Sequence, residues 1–575
     1  ITFILGTVII VFGASLILGF DFITGTIMEF KNNLIKPASS RLIQTVAENR
    51  QPYFGEWANS FGPMVGKIPL FFSLFLIGSV ILFYNLLKKV KVKEKTSLTF
   101  AYVIFLICII FSRYSSSSLL NGENGISLLM YFGGVVFFTF IALRTYIIAY
   151  KKELFSNFKK IDFGIILIFA FFILGIVSAR GLVRLIMMLV PPTSALVGYL
   201  VGFSIHNIIK NKDSKEDFTK LLSILLIGIV VIASLYSGFY FYKVSKAQAE
   251  VFYPTSYQNQ WQKAMSWVRE NTPENAVFGH WWDYGYWVQS IGERATILDG
   301  GNAISYWNHL MGREVLTTPD DRTALEFLYA HNTTHFLIDS TDIGKYGAYS
   351  YIGSNTSLDR RSYINTIMVN EQMTTETKEG ITYYYNAGIP LDDDLIFEEN
   401  GKTEFFAKET SGIGGVILEQ TSAGELKQPK IVLVNQAGAM EKKVGIKYVY
   451  YKGELKKFED GIEAGIFLCD YVIQDEKGIG YIQKGAGFYL SERTVNSFLA
   501  RKYLFGEEGN FKLAHTENNM IIEQLNAQGF DGEFAYFQGQ FLGPIKIWEI
   551  EYPQDVEFKE EYLNTEYPEE LWKGN

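Results

Sequence analysis

The run LLSILLIGIVVIASLYSGFYFY, residues 221–242, is uncharged throughout, and the chain changes character after it. A helix needs about 20 apolar residues to cross the hydrocarbon core of a bilayer, so this run is long enough to span one. The next periodic stretch, YQNQWQKAMSWVREN at 257–271, is instead amphipathic. It places Trp261, Ala264, Met265 and Val268 on one helical face, the pattern of a surface helix packed on a core. A membrane part therefore ends near residue 245, and a water-exposed part follows it.

Upstream, further apolar runs at 1–20, 68–87, 98–111, 126–150, 163–177 and 182–209 bring the expected spans to about seven. Lysines set the orientation. Lys88, Lys89, Lys91, Lys93 and Lys95 fill one loop, Lys151, Lys152, Lys159 and Lys160 a second, and Lys210, Lys212, Lys215 and Lys220 a third. If every run crosses, these loops share one side, which is cytoplasmic, and the polar half emerges on the external side. The chain starts inside an apolar run, so the expectation is a fragment whose true start lies upstream.

Over the whole chain, 48% hydrophobic and 19% charged residues exclude a disordered protein. A net charge of −8 excludes a basic nucleic-acid binder. Cys108 and Cys469 are too few for a disulfide framework or a zinc site. Short strands at 276–278, 295–298 and 335–338 alternate with a helix at 322–330, which reads as a mixed α/β core. From about 395 the pattern becomes strand-rich, a helix returns at 495–504, and a late strand is expected at 544–550. The expected domains are thus a membrane domain at 1–245 with an external loop at 21–67, an α/β core at 246–394, a β-rich insertion at 395–485 and a return to the core at 486–575.

Three places carry candidate chemistry. Residues 281–287 read Trp-Trp-Asp-Tyr-Gly-Tyr-Trp, large apolar area joined to hydrogen-bonding tips, with Asp283 able to accept from a small hydroxyl. Taken alone, this is equally a buried aromatic cluster with a capping Asp. The external loop contains Thr45-Val-Ala-Glu48-Asn-Arg-Gln-Pro52, where Glu48 by itself is a solvated acid. Arg180 and Arg184 stand near the outer end of an apolar run, before Pro191 and Pro192. Arginine at bilayer depth is costly. Arg180 is expected to snorkel to the interface, and Arg184, one turn deeper, to meet a phosphate. Asp392-Asp393-Asp394 reads as an acidic surface turn.

Together these elements resemble the catalytic subunit of oligosaccharyltransferase in its archaeal, single-subunit form. Trp281–Gly285 resembles the family's WWDYG signature, with Asn271-Thr-Pro-Glu274 at the family's distance before it. Glu48 resembles the acid of the Ser/Thr-x-x-Glu element in the large external loop, and Val183-Arg184-Leu185 the helix that carries the lipid-phosphate arginine. Asp342-Ile-Gly-Lys345 resembles the DxxK element. The resemblance implies a GT-C type membrane enzyme, of which the helical domain here is a part. It would transfer a glycan from a dolichol-linked phosphate or pyrophosphate to the Asn of Asn-x-Ser/Thr, inverting the sugar and depending on Mn²⁺ or Mg²⁺.

By the same resemblance Trp281, Trp282 and Asp283 hold the sequon hydroxyl, with Tyr284, Gly285, Asp342, Lys345 and Tyr349 beside them. Glu48 serves the acceptor amide and the metal, and Arg184 grips the donor phosphate. The implied partners are dolichol-linked oligosaccharide, sequon-containing polypeptides and membrane lipid, with the protein in the cell membrane. Tyr349 stands where the family carries Met or Ile. The remaining metal acids are expected upstream of Ile1. Two other readings use fewer of these residues: a non-catalytic sequon-binding or assembly subunit, and a transporter with a large external domain.

Overall fold

The computed structural model describes residue 13 and residues 41–87, 90–151, 163–211, 217–251, 259–399, 401–435, 441–475, 478–568 and 571. The chain divides into two compact units, Ile1–Tyr253 and Pro254–Asn575.

The first unit is helical. After a 3-10 turn at Ala47–Asn49 come α1 (Phe54–Ser60), α2 (Leu70–Leu86), α3 (Val92–Phe111), α4 (Gly125–Lys151), α5 (Phe163–Gly181), α6 (Val190–Asn211) and α7 (Asp217–Val251). Among the described residues five helices are long and apolar enough to cross a membrane, and α2 is a shorter apolar helix. The expected span at 1–20 lies outside the described residues. The run at 182–209 is not one smooth helix. Leu182 is extended, Val183–Leu189 forms 3-10 turns, and α6 starts at Val190. Pro191 and Pro192 fall in the first turn of α6, where a missing N–H costs nothing.

The helices pack through Phe75, Tyr102, Ile109, Phe172, Leu189 and Leu196. Gly78 of α2 lets that helix approach α6 closely, since a Cβ there would lie 2.5 Å from the Leu196 carbonyl oxygen. Leu129, Phe140, Ile232 and Leu235 are exposed, as side chains that face lipid must be.

Among the described residues the second unit has two large sheets and a separate two-stranded hairpin, Leu395–Glu399 with Lys402–Phe406. The first has β1 (Val277–Gly279), β2 (Ala295–Thr296) and β3 (His335–Ile338), with β1 parallel to both others. Helices α8 (Asn259–Asn271), α9 (Gly285–Ser290), α10 (Asp321–Ala330) and α11 (Asp342–Ile352) accompany it.

Next comes a β unit of β4 (Asn365–Val369), β5 (Gly380–Pro390), β6 (Ser411–Thr421), β7 (Lys430–Asn435), β8 (Glu441–Tyr451), β9 (Ile462–Asp475) and β10 (Gly478–Leu490). These pair in the order β8-β7-β6-β5-β4-β10-β9, and β9 pairs again, in parallel, with β8. Seven strands therefore close into a barrel, which removes exposed edges. Its interior holds Ile367, Tyr385, Val416, Leu433, Ile446 and Ile466.

The first barrel strand, Asn365–Val369, lies thirty residues before the strand-rich region read from sequence, because it is only five residues long and opens on the polar pair Asn365-Thr366. β11 (Phe511–Glu517) and β13 (Ile545–Ile550) then complete the first sheet in the order β11-β13-β3-β1-β2. Between them β12 (Ala535–Phe537) joins β9. The helix expected at 495–504 is divided into Glu492–Val495 and wide turns at Ala500–Leu504.

Candidate functional site

Strand β1 delivers the chain through His280 into the aromatic motif. Trp281 is extended, Trp282–Tyr284 forms one 3-10 turn, and Gly285 opens α9. A side chain at residue 285 would meet the Leu298 carbonyl oxygen at 2.4 Å, so glycine is required there by space. Opposite, β3 ends at Ile338 and the chain turns into α11. The Asp339 carboxylate accepts from the Thr341 N–H at 2.8 Å and the Thr341 hydroxyl at 2.6 Å, shaping that turn.

The two turns meet in one polar network. Lys345 Nζ lies 2.6 Å from Asp283 Oδ2 and donates to the Tyr284 hydroxyl at 3.0 Å. The Tyr284 hydroxyl donates to Asp342 Oδ1 at 2.7 Å, and the Tyr349 hydroxyl donates to the same oxygen at 2.5 Å. The other oxygen of Asp342 accepts from the Asp339 N–H at 3.0 Å. Tyr349 also packs its ring against Trp281, with centroids 4.5 Å apart. Structure thus brings together Trp281, Asp283, Tyr284, Asp342, Lys345 and Tyr349, while Trp282 and Gly285 complete the turn.

Electrostatics separate the members. Asp342 is buried, and burial pushes its carboxyl up to about 6 against the pull of Lys345. Burial raises Asp339 as well. Burial works against the Lys345 ammonium, but Asp342 and Asp283 outweigh it and hold the lysine charged above its ordinary range. Asp283 keeps 28% of its side chain exposed, so it is the carboxylate of the network open to a ligand. Trp282 Nε1 is buried with no hydrogen-bond partner among the described residues. His280 shares its Nδ1 proton with the Trp281 carbonyl at 2.7 Å, and burial drops its pKa to about 4, so the ring is neutral at pH 7.

In the first unit Glu48 lies on the 3-10 turn, with Oε2 3.9 Å from Arg184 Nε. Both side chains are open, Glu48 at 66% and Arg184 at 61% exposure. The segment that carries Glu48 is tied down by residues that sequence reasoning missed. Gln51 Oε1 accepts from Arg180 Nη1 at 2.9 Å and from Arg113 Nη1 at 3.3 Å. The Val183 N–H donates to the Arg50 carbonyl at 2.8 Å, and the Phe54 N–H donates to the Arg113 carbonyl at 3.1 Å.

Arg180 corrects an expectation. It does not snorkel: it is 5% exposed and sits over the Tyr131 ring, because Gln51, Ser112 and Tyr131 satisfy its guanidinium inside the bundle. The sequence signal was the Gln directly after the Glu48 turn, read only as part of a motif.

The acidic turn at 392–394 is structural. Asp392 accepts from the Ser362 and Ser491 hydroxyls, Asp393 pairs with Arg493, and Asp394 accepts from the Lys408 N–H. Among the described residues no group of three or more His, Cys, Asp or Glu is arranged to hold a metal ion. Glu48, a single carboxylate beside an arginine, does not fit a divalent cation by itself.

No family model matches the chain. Over 233 residues it is 26% identical to dolichyl-phosphooligosaccharide-protein glycotransferase 1 of Pyrococcus furiosus, covering 40% of this chain and 23% of that protein. It is 28% identical over 127 residues to the corresponding glycotransferase of Methanocaldococcus jannaschii, covering 22% of this chain and 12% of that protein. Among solved structures, oligosaccharyltransferase AglB from Archaeoglobus fulgidus, in complex with an inhibitory peptide and a dolichol-phosphate, matches at 12% identity and TM-score 0.36. That match covers 79% of this chain and 56% of that one.

The matched region thus spans about a quarter of the length of the first of these curated relatives. The class is a multi-pass membrane protein whose helical unit precedes an α/β domain with a barrel. Within that class, the chain is similar over part of its length to archaeal dolichyl-phosphooligosaccharide-protein glycotransferases.

Proposed function

We propose that this chain supplies acceptor recognition and donor binding for an oligosaccharyltransferase. In that reaction a glycan passes from a dolichol-linked phosphate or pyrophosphate to the Asn side chain of Asn-x-Ser/Thr. The observation that carries the reading is Asp283, an acceptor fixed by Lys345 and 28% exposed, on the aromatic turn that Trp281 and Trp282 begin. A hydroxyl can donate to this acceptor. A site built this way rejects an analogue lacking the hydroxyl by about 10⁴–10⁵.

Glu48 accepts a hydrogen bond from the acceptor amide and takes its proton. The amide nitrogen attacks the anomeric carbon as the carbon–oxygen bond to phosphate breaks, so the sugar inverts. Arg184 balances the charge that develops on the leaving phosphate, for which guanidinium geometry is suited. Mn²⁺ or Mg²⁺ at this centre requires oxygen ligands beyond Glu48. The reading places the second unit on the external face of the cell membrane and needs no second subunit.

Transfer from lipid-linked glycan to an Asn-x-Thr peptide, measured in vitro with the protein and its Asp283→Ala variant, tests the assignment. The variant is expected to lose transfer and to stop distinguishing Asn-x-Thr from Asn-x-Ala in peptide binding. Retained discrimination overturns it.

A further inference from the structure

Strand β9 changes partners partway along one edge. It pairs with β8 up to Leu468, opposite Tyr451, and with β12 from Asp470, opposite Ala535. A cavity of about 240 Å³ opens at this fork, bounded by the turn that ends β8, by residues 467–470 and by the 530–534 segment that leads into β12.

Its chemistry is unusual for a barrel wall. Tyr450, Tyr451, Phe467, Phe530 and Phe534 line it. Asp470 also lines it and is 1% exposed. One oxygen of Asp470 accepts from the Tyr451 hydroxyl at 2.8 Å and the Lys484 N–H at 2.9 Å. The other, Oδ2, has no hydrogen-bond partner among the described residues. The Lys452 ammonium, 3.6 Å away, offsets the charge of this oxygen without making a hydrogen bond, which leaves its acceptor capacity unused. Two lysines flank this carboxylate from left-handed backbone positions, Lys452 at φ +48° and Lys484 at φ +53°. At Lys452, followed by Gly453 at φ +85°, that conformation belongs to the two-residue turn joining β8 to the strand Glu454–Lys457.

We propose that this cavity binds a single uncharged sugar ring, at a site separate from the aromatic motif at 281–285. Asp470 Oδ2 demands a donor. Lys452 Nζ stands 3.6 Å from that oxygen and pairs with Asp531, so an incoming cation meets like charge. An anion is opposed by Asp470, Asp531 and Glu533, which all line the space. A neutral ligand rich in hydroxyl donors, with C–H faces for the aromatic walls, meets neither objection. At about 30 Å³ per water the volume corresponds to about eight waters, which suits one ring rather than a chain.

Equilibrium dialysis of the full chain against radiolabelled methyl glycosides of glucose, mannose, galactose and N-acetylglucosamine tests the site. At least one is expected to bind with millimolar affinity. Asp470→Asn weakens that binding by about tenfold, the scale of one hydrogen bond to a charged group. Phe530→Ala, which leaves the buried carboxylate untouched, weakens it as well. Displacement by a glycopeptide assigns the sugar to protein-linked glycan, and displacement by a lipid-linked glycan assigns it to the donor. Absence of binding, binding unchanged in both variants, or displacement by N-acetyl-lysine amide in preference to every sugar overturns the proposal. Binding is read without any transfer reaction, so its failure is distinct from failure of the proposed enzymatic function.

Discussion

Lys345 Nζ bridges two carboxylates, at 2.6 Å from Asp283 and 3.9 Å from Asp342, and thereby ties the aromatic turn to helix α11. Lys345→Met leaves Asp283 without its anchor beside a second acid. Affinity for an Asn-x-Thr peptide, followed by tryptophan fluorescence, should fall by about tenfold or more. Because Lys345 and Asp283 are each about 30% exposed, solvent screens them, and the stability loss stays below the ~3–5 kcal/mol of a fully buried broken pair. Unchanged peptide affinity would refute the anchoring role.

Asp342 sets a pH dependence. Its folded pKa of about 6 lies above the ordinary 3.8. The folded state therefore binds more protons than the unfolded state between those values, and this group's contribution to stability is lost as pH rises through that window. A shift of roughly 2 units corresponds to about 3 kcal/mol. Asp342→Asn removes the titration. The melting temperature of the variant relative to the parent should be higher at about pH 7 than at about pH 4. A difference that does not vary with pH counts against it.

Tyr349 is fully buried, donating to Asp342 and packing on Trp281. We infer that it supports the motif from beneath. Tyr349→Phe keeps the ring and removes one hydrogen bond to a charged group, costing about 1.5–3 kcal/mol of stability, with peptide affinity within about threefold of the parent. Tyr349→Ala removes the support of Trp281 and should weaken peptide binding further. Equal effects of the two on binding would show that the ring contact is immaterial.

Gln51 gathers Arg180 and Arg113 behind the Glu48 turn. Arg180→Met is expected to loosen the 47–53 segment, seen as faster hydrogen exchange there, and to lower kcat for transfer more than it raises peptide KM. Arg180→Lys should recover little, since an ammonium does not reproduce the planar fork. Wild-type exchange in Arg180→Met would show that the Arg180–Gln51 contact does not hold the segment.

Much of the fold was legible in residue patterns. The apolar runs at 68–87, 98–111, 126–150, 163–177 and 221–242 correspond to helices, and the strand at 335–338 is found at His335–Ile338, because uninterrupted or regularly spaced apolar residues force burial. The barrel was only partly legible. Its closure depends on β9 meeting β8 in parallel, a long-range pairing that leaves no local mark. Arg180 was misread because a buried and a snorkelling arginine look identical until their neighbours are known. Asp339 passed unnoticed because its role is to shape a turn that ends where the DxxK element begins.

The sequence by itself determined the division into a membrane part and a polar part, and the residue types of the aromatic motif, since both rest on local composition. Tertiary structure alone decided which acids are paired and which stay open. It brought Lys345 to Asp283 across 62 positions of chain and left Asp283 exposed while burying Asp342. It also placed Gln51 between two arginines drawn from separate helix ends. Ionic and hydrogen-bond partnerships act over a few ångströms in space, whereas sequence reports distance along the chain.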